Sequence, residues 1–376
     1  MNKNSLHTFL TIGIYVLLAI LLFNSFFVFS IGKSLDAKID EAKELARPAK
    51  IEIIKVGSSC KDCFNVDNII EVLKVSNLEI VSEKFVPRSS DEAADIIEQY
   101  GIEKLPTIIL KGEIDKSSIQ NFKKVDDALV FDAVSPPYED AAARKVVGKV
   151  SAIVISDKSC KVCTNLSLLV QNLKQNGVFV DNEEKFDFSE TKAKNMISKY
   201  AIKKLPAVLL SDDLDAYPDI AQSIAQAGSK AESYYLVESQ APYVEAESGK
   251  LRGLAKLTLL NDSSCKECYN VNIHKSIIAR FGIAVDEEKE IDTKSAEGKQ
   301  LIGKYGIKNV PTIVLTGDLN IYENFNNVWK QVGTVETDGA YVFREMTAMG
   351  KGIVYKDVST NEIKGLEPIS ETEQQE

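Results

Sequence analysis

The pattern of apolar and polar positions divides the chain into an uncharged N-terminal run, a short amphipathic segment and a long remainder of alternating strand and helix patterns. Residues 9–31 contain no charged residue over 23 positions. As a helix this run would be about 34 Å long, more than the roughly 30 Å thickness of a hydrocarbon core. We therefore predict a transmembrane anchor over 9–31, preceded by an N-terminal flank at 1–8.

Two other interpretations of the apolar run remain open, a cleaved signal peptide and a buried core helix. The apolar region of a signal peptide normally covers about 7 to 15 residues and ends in small residues at a cleavage site. The run ends instead in "FSIGKSLD" at 29–36, which lacks that pattern. A helical stalk is predicted over 32–49, because Leu35 and Ile39 fall on one helix face and Pro48 stands near its end.

Beyond residue 50 the sequence repeats itself three times. A Cys-x-x-Cys pair occurs in each repeat, and the three pairs use all six cysteines. The pairs are Cys60 with Cys63, Cys160 with Cys163, and Cys265 with Cys268. A phrase of the type Tyr-x-Ile-x-x-(Leu/Val)-Pro follows, and its proline stands 46 residues after the first cysteine in every copy. A spacing kept three times indicates three copies of one domain.

A third phrase closes each repeat and sets the predicted domain boundaries. It runs ten residues from a tyrosine to a glycine, as in "YEDAAARKVVG" ending at Gly148, and its polar centre predicts a hairpin. The third hairpin has no domain after it, so we assign each hairpin to the domain it follows. The predicted domains are 50–148, 149–253 and 254–368, and an acidic tail follows at 369–376.

Within one repeat, strand and helix patterns alternate. An apolar run such as "AIVIS" at 152–156 predicts a buried strand that leads into the cysteine pair. Apolar residues three and four apart predict a helix over 64–76 and again over 164–176. A strand, a second helix and a post-proline strand follow, and the turn residues of "LKGEI" at 110–114 predict a hairpin into an edge strand. The fold class is therefore α/β, with a mixed sheet flanked by helices.

This arrangement resembles the thioredoxin-like superfamily, and the tandem layout is similar to the archaeal protein disulfide oxidoreductases. The resemblance covers most of residues 50–330 and rests on the cysteine pairs together with the Leu-Pro or Val-Pro phrase. It implies a cis-proline in each repeat, in a loop that lies against the disulfide and offers backbone groups to a thiol substrate. The implied substrate-binding residues are Leu105, Pro106, Leu205, Pro206, Val310 and Pro311.

The spacing of the cysteines suits thiol–disulfide exchange. A cysteine at a helix N-terminus has a lowered pKa, because the helix dipole and free N–H groups stabilise its thiolate. We therefore expect the upstream cysteine of each pair to attack and the downstream cysteine to resolve the mixed disulfide. The predicted attacking residues are Cys60, Cys160 and Cys265, and a lysine follows each of them.

The pairs differ in the residue before the second cysteine, which is Asp62, Val162 or Glu267. A neighbouring carboxylate disfavours a thiolate, so we expect the middle pair to differ from the outer pairs in pKa and redox poise. The alternative is that all three positions face solvent and differ little.

Three features depart from thioredoxin itself. The Trp-Cys-Gly-Pro-Cys motif is absent, and the position of thioredoxin's buried acid, six residues before the first cysteine, is apolar. These apolar residues are Ile54, Val154 and Leu259. After the proline, Thr107 and Thr312 are interpreted as polar handles that the second copy lacks, since it carries Ala207. One domain is therefore a candidate binding or structural unit.

Composition and charge limit the function classes. The net charge of −10 argues against nucleic-acid binding. We predict a membrane-anchored thiol–disulfide oxidoreductase that needs no cofactor beyond its cysteines and whose partners are protein thiols or disulfides and an upstream redox protein. Two rival classes remain, a non-enzymatic membrane adaptor and a metal-binding protein. The cysteine pairs lie about 100 residues apart, which is farther than the two knuckles of a zinc site usually lie.

His274 is interpreted as a solvated or capping residue.

The predicted membrane topology rests on the pairing of the cysteines more than on the distribution of charged residues. Lys3 favours a cytoplasmic N-terminus, whereas five basic residues after the anchor oppose it. These are Lys33, Lys38, Lys43, Arg47 and Lys50. Cysteines confined to pairs suit an oxidising compartment, so we predict a single-pass cell-membrane protein with extracytoplasmic domains. The same residues serve a reductase, an oxidase or an isomerase, and the sequence leaves that direction open.

Overall fold

The computed structural model describes residues 3–116 and 119–365. These residues form two compact units, Met1–Val147 and Gly148–Glu376, which are described in turn. The predicted acidic tail and the first two residues of the predicted N-terminal flank lie outside the described residues. The boundaries of the three domains stay a prediction.

The first unit begins with one continuous helix, α1 (Lys3–Ala46), which covers both the predicted anchor and the predicted stalk. Its stretch from Ile12 to Glu44 is long and apolar enough to cross a membrane, on length and composition alone. The stalk residues Leu35 and Ile39 are exposed, so their stripe does not pack on the unit. The helix end is held by Arg47, whose guanidinium Nη1 donates to Glu113 Oε2 at 2.6 Å.

After α1 the first unit contains one mixed sheet, a small second sheet and two helices. The strands are β1 (Ala49–Val56), β2 (Leu78–Val86), β3 (Lys104–Leu105), β4 (Thr107–Gly112), β5 (Phe122–Val125), β6 (Ala128–Phe131), β7 (Tyr138–Asp140) and β8 (Lys145–Val147). The helices are α2 (Asp67–Lys74) and α3 (Asp91–Tyr100). A single 3-10 turn, Ile114–Lys116, follows β4.

The main sheet of the first unit has the strand order β2-β1-β4-β6-β5. β1 is parallel to β2 and antiparallel to β4, so the sheet is mixed. Two apolar clusters cover the sheet: Ile51 and Ile53 pack with Ile70 of α2, while Val56 packs with Ile96 of α3. Ile108 and Leu110 of the central strand β4 lie in the first cluster and Ile109 lies in the second, so β4 is buried on both faces, as its apolar run requires.

The second unit contains two further copies of this arrangement. The strands of the first copy are β9 (Val150–Ser156), β10 (Val180–Asp187), β11 (Lys204–Leu205), β12 (Ala207–Ser211), β13 (Ser229–Ala231), β14 (Tyr234–Glu238), β15 (Tyr243–Glu245) and β16 (Leu251–Arg252). Its helices are α4 (Ser167–Gln175), α5 (Thr191–Lys199) and α6 (Pro218–Ala227). A 3-10 helix, Asp212–Ala216, precedes α6.

The other copy in the second unit ends the described chain. Its strands are β17 (Leu254–Asn261), β18 (Ala284–Asp292), β19 (Asn309–Val310), β20 (Thr312–Gly317), β21 (Gly333–Val335), β22 (Tyr341–Phe343), β23 (Tyr355–Asp357) and β24 (Ile363–Lys364). Its helices are α7 (Ile273–Arg280), α8 (Ala296–Tyr305) and α9 (Glu323–Val332), with 3-10 helices at Leu319–Ile321 and Met346–Met349. The sheet orders β10-β9-β12-β14-β13 and β18-β17-β20-β22-β21 match the first. The predicted fold class, mixed α/β sheets in three repeated units after an N-terminal apolar helix, is confirmed.

The predicted hairpin after the post-proline strand is wrong. The turn residues after β4, β12 and β20 enter 3-10 helices, and the chain then crosses to an edge strand that does not pair with the post-proline strand. In the second unit the amphipathic helices α6 and α9 fill this crossing. Neither helix was predicted, because a Gly-Asp or Asp-Asp pair suits a helix start as well as a turn.

The hairpin at the end of each repeat pairs with the short strand before the proline of the same repeat. β7 pairs with β3, β15 with β11 and β23 with β19. Each hairpin thus belongs to the repeat that it follows, as predicted, and it lies beside the Leu-Pro or Val-Pro phrase.

Candidate redox sites

Each Cys-x-x-Cys pair is closed as a disulfide. The Cα atoms are 5.5 Å apart in the Cys60–Cys63 pair, 5.6 Å in the Cys160–Cys163 pair and 5.4 Å in the Cys265–Cys268 pair. All six cysteines are half-buried, and both residues between the cysteines of every pair are exposed. The sulfur atoms thus lie in a partly solvated surface loop, which permits exchange with an external thiol.

The predicted position of the attacking cysteines at a helix N-terminus is wrong. Helix α2 begins at Asp67, seven residues after Cys60; α4 begins equally late after Cys160, and α7 begins eight residues after Cys265. An asparagine two residues after the second cysteine causes this delay, since Asn65 Oδ1 accepts the Asp67 amide at 2.9 Å. Asn165 and Asn270 make the same turn. The attacking cysteines therefore lie farther from the helix N-terminus than the single turn over which a helix dipole is effective.

The sheet places each disulfide loop beside the corresponding proline. Val56, the last residue before the first loop, lies opposite Thr107, the residue after Pro106, in the β1–β4 ladder. The same register joins β9 to β12 and β17 to β20. The peptide bonds before Pro106, Pro206 and Pro311 are cis. Disulfide and cis-proline thus share one sheet end, while the substrate-binding role of Leu105, Leu205 and Val310, all buried, stays a prediction.

A buried carboxylate holds the first loop. The Glu139 side chain is 3% exposed, and its Oε2 accepts the Ser59 amide at 2.9 Å and the Ser58 hydroxyl at 2.7 Å. The Cys60 amide donates to that Ser58 hydroxyl oxygen at 3.0 Å. Arg88 Nε donates to Glu139 Oε1 at 2.9 Å. Burial raises the pKa of Glu139, but the hydrogen bonds from the serines and Arg88 outweigh it and hold the pKa below its ordinary value.

A different buried carboxylate holds the third loop. Asp262 Oδ1 accepts the Ser264 amide at 2.9 Å and its hydroxyl at 2.6 Å. Lys356 Nζ donates to Asp262 Oδ2 at 2.7 Å, with side-chain exposures of 12% for Lys356 and 4% for Asp262. Burial raises the pKa of Asp262, but the bonds from Lys356 and Ser264 lower it to about 2. The acid is therefore ionised at neutral pH.

The second loop has apolar surroundings. Asp157 Oδ1 accepts the Ser159 amide at 2.7 Å, but this acid is only half-buried. Cys160 and Cys163 pack against a cluster that contains the fully buried Val244 and the half-buried Phe188. The Cys163 amide donates to Cys160 Sγ at 3.2 Å. A hydrogen bond to sulfur favours the thiolate of Cys160, whereas apolar burial disfavours it.

The side chains beside the disulfide loops were not predicted, although one pattern in the sequence pointed to them. The residue after the tyrosine of the closing hairpin is Glu139, Val244 or Lys356, an acid, an apolar residue and a base in structurally equivalent strands. The position six residues before the first cysteine, where thioredoxin has a buried acid, is occupied by Ile54, Val154 or Leu259, as the sequence shows. The structure places other acids beside the loops.

The threonines after the prolines are not polar handles. Thr107 is fully buried and its hydroxyl donates to the Phe131 carbonyl at 2.6 Å. The buried Thr312 donates to the Phe343 carbonyl at 2.7 Å. Both hydroxyls therefore connect strands within the sheet, and Ala207, also buried, does not mark the second domain as different in substrate contact.

The interpretation of His274 as a solvated or capping residue is wrong. It is 3% exposed, and its Nε2 lies 2.9 Å from the hydroxyl of Tyr269, which follows Cys268 directly. That hydroxyl donates to the carbonyl of Pro311 at 2.7 Å. Burial lowers the pKa of His274 to about 4, so the ring is neutral at pH 7. The third loop and its cis-proline are thus joined by a buried polar pair.

Comparison with known proteins yields structural likeness only. No family model and no curated protein matches the sequence. The alkylhydroperoxide reductase subunit AhpF of Enterococcus faecalis (C503A mutant) is 18% identical over 47% of this chain and 90% of its own, with a TM-score of 0.15. A protein disulfide oxidoreductase from Aeropyrum pernix K1 is 14% identical over 48% and 89%, with a TM-score of 0.15.

A third similar structure is human ERp44, which is 12% identical over 77% of this chain and 81% of its own, with a TM-score of 0.14. Scores this low add no weight to the fold, which rests on the sheet topology and the disulfides described above.

Proposed function

We propose that this protein is a thiol–disulfide oxidoreductase with three redox-active cysteine pairs. One observation carries the proposal: each repeat presents a half-buried Cys-x-x-Cys disulfide at the sheet end where the Leu-Pro or Val-Pro phrase lies. Three structural disulfides would need no such shared placement. The partners are protein thiols or disulfides, and the cysteines are the only redox groups required.

The chemistry is a pair of sulfur displacements. In the disulfide form, a substrate thiolate attacks the sulfur of Cys60, the Cys60–Cys63 bond breaks and Cys63 leaves as a thiolate. A second substrate thiolate then attacks the substrate sulfur of the mixed disulfide and releases Cys60. The substrate loses two electrons and becomes a disulfide, while the pair gains them and becomes a dithiol. The reverse sequence reduces a substrate disulfide.

The upstream cysteine is the nucleophile in this proposal. The hydrogen bond that the Cys163 amide donates to Cys160 Sγ supports this assignment for the second pair, because a donor at the upstream sulfur stabilises a thiolate there. For the other pairs the assignment of Cys60 and Cys265 rests on the resemblance and the shared geometry.

Trapping of mixed disulfides tests the proposal. Replacing the resolving cysteine, as in Cys63→Ser, leaves the attacking cysteine unable to release a substrate. The variant should form a covalent adduct with a peptide that contains an activated disulfide, and a thiol reductant should dissolve the adduct. The matched control Cys60→Ser keeps one cysteine in the same loop and should trap far less. Equal trapping by both variants would contradict the assigned roles.

We further propose that α1 anchors the protein in the cell membrane with the N-terminus inside and the domains outside. The apolar length of the helix and the confinement of all cysteines to pairs support this placement. After mild reduction of intact cells, a membrane-impermeant thiol reagent should label the six cysteines. Labelling only after cell lysis would contradict the topology, while the oxidoreductase proposal would stand.

A further inference from the structure

The three redox loops share one backbone hydrogen bond, although the residue that accepts it comes from different positions in the chain. In each loop the amide of the serine before the first cysteine donates to a carboxylate. The distances are 2.9 Å from Ser59 to Glu139, 2.7 Å from Ser159 to Asp157 and 2.9 Å from Ser264 to Asp262. Asp157 and Asp262 belong to the loops themselves, whereas Glu139 reaches the first loop from the closing hairpin. The same hydrogen bond is therefore made by acids from different positions in the chain, which indicates that it has a role in the redox loop.

The first loop needs an acid from elsewhere because it is one residue shorter. Cys60 stands four positions after Val56, the residue opposite Thr107, whereas Cys160 and Cys265 stand five positions after the equivalents of Val56. The shorter loop has Gly57 where the others have the acid, and the ring of Phe85 lies 2.9 Å from where a Gly57 Cβ would be. A side chain at position 57 would have to displace the Phe85 ring, and in this loop Glu139 supplies the carboxylate instead.

The carboxylates of the outer loops are paired with half-buried cations, but the acid and the cation exchange places between the two repeats. In the first repeat the hairpin carries the acid Glu139, and the cation is Arg88, which also donates to the Ala141 carbonyl at 3.0 Å. In the third repeat the loop carries the acid Asp262 and the hairpin carries the cation Lys356. In the second repeat the hairpin position is Val244, within the apolar cluster that contacts Cys160 and Cys163.

We infer that Glu139 and Asp262 are positioning residues that fix the backbone before Cys60 and Cys265 and set the redox poise of those two pairs separately from the second. Each carboxylate balances its half-buried cation. Loss of the carboxylate alone leaves that cation uncompensated next to the redox loop, which favours the thiolate and therefore the dithiol form. The second pair, on its apolar cluster, does not respond. The inference rests on one part of the proposed function, namely that the disulfides exchange with external thiols, and does not require turnover.

The test measures each pair separately at equilibrium. The full chain in detergent is equilibrated in glutathione buffers of graded ratio, thiols are blocked, and mass spectrometry gives the reduced fraction of every pair. In Glu139→Gln the reduced-to-oxidised ratio of Cys60–Cys63 should rise about tenfold, or about 30 mV for a two-electron couple. Cys160–Cys163 should stay within about twofold. Asp262→Asn should move Cys265–Cys268 alone in the same direction.

Two control variants lose the same kind of contact far from the sulfur atoms. Glu113 accepts Arg47 and the Lys50 amide at the opposite end of β1, and Asp318 accepts Arg252 and the Gly253 amide at the opposite end of β17. Glu113→Gln and Asp318→Asn should leave every pair within about twofold of the wild type. The double variant Arg88→Met/Glu139→Gln removes both charges and should return the first pair to within about threefold.

Three results would overturn the inference: an unchanged first pair in Glu139→Gln, an equal shift in Glu113→Gln, or an equal shift of all three pairs. If circular dichroism shows that Glu139→Gln is unfolded, Ser58→Ala decides, since it removes only the hydroxyl between Glu139 and the Cys60 amide. It should shift the first pair about threefold, and no shift would refute the positioning role. The titration needs no turnover, so pair-specific shifts without turnover would refute the proposed function and leave this inference standing.

Discussion

Tyr269, the residue directly after Cys268, donates its hydroxyl proton to the carbonyl of Pro311 at 2.7 Å. Because the hydroxyl has one proton, the His274 Nε2 at 2.9 Å must carry its own and donate to the same oxygen. The third disulfide loop is thus fastened to its cis-proline through a buried side chain. In the first and second repeats the equivalent residues are Phe64 and Thr164, so this fastening belongs to the third repeat.

Tyr269→Phe should destabilise the third domain by about 1–3 kcal/mol, because the buried Pro311 carbonyl and His274 N–H both lose their partner. Trp329, the single tryptophan of the chain, is buried in this domain and reports its unfolding in urea by fluorescence. Tyr305→Phe is the control, since its hydroxyl meets the partly exposed Asp338, and it should cost less than about 1 kcal/mol. Equal costs for both variants would contradict the role of Tyr269.

The stability of the third domain should fall with pH between about 6.5 and 4. The pKa of His274 is about 4 in the folded chain and about 6.5 when unfolded, so the unfolded chain binds the proton first. The contribution is complete above pH 6.5 and is lost as pH falls, by about 3 kcal/mol at pH 4. Urea unfolding followed by Trp329 fluorescence at several pH values measures it. His274→Leu, which copies Leu169 of the second repeat, should remove this dependence, and a persisting slope would assign it to other groups.

Thr312→Val should weaken the sheet without changing thiol chemistry. The variant leaves the Phe343 carbonyl unpaired and should cost about 1–2 kcal/mol in the Trp329 unfolding assay. The alkylation rate of reduced Cys265 should stay within about twofold. Thr347→Val, whose hydroxyl bonds the exposed Glu345 side chain, should cost little and serves as the control. Slower alkylation with unchanged stability would restore the interpretation of Thr312 as a substrate handle.

Ala201→Gly should stabilise the second domain. Ala201 has φ of +51° just after α5, and the equivalent residues after α3 and α8 are Gly101 at +60° and Gly306 at +57°. A side chain in this left-handed region costs about 1 kcal/mol, part of which glycine gives back in the unfolded chain. The net gain should be about 0.5 kcal/mol, seen as slower hydrogen exchange of the α5 amides. Gly306→Ala should have the opposite effect on α8, and no change in either would contradict the prediction.

The sequence was sufficient to predict the repeated fold and the cysteine pairs, because both depend on local patterns. Apolar runs, the fixed distance from cysteine to proline and the closing hairpin each recur within one repeat. The side chains beside the disulfide loops could not be predicted from such local patterns. Glu139 lies 79 residues from Cys60 and meets it only because β7 pairs with β3. Opposite charges at one hairpin position, Glu139 and Lys356, become intelligible only when Arg88 and Asp262 are placed beside them.

The helix start and His274 were mispredicted for a related reason. Apolar periodicity predicted a helix from Phe64, but the Asn65 side chain forms a turn that delays it to Asp67. Polarity alone suggested that His274 faces solvent, whereas the Tyr269 hydroxyl supplies its buried partner. A polar residue is buried at low cost when a partner meets it, and that partner is set by tertiary packing.

Turnover of a disulfide substrate by the full chain tests the central claim most directly. With dithiothreitol as electron donor, the wild type should reduce a fluorogenic peptide disulfide faster than dithiothreitol alone. The variant with Cys60, Cys160 and Cys265 replaced by serine should fall to the background rate, a loss of about 100-fold or more. A wild-type rate equal to that of the serine variant, with binding of the peptide retained in both, would contradict the oxidoreductase and favour a binding protein.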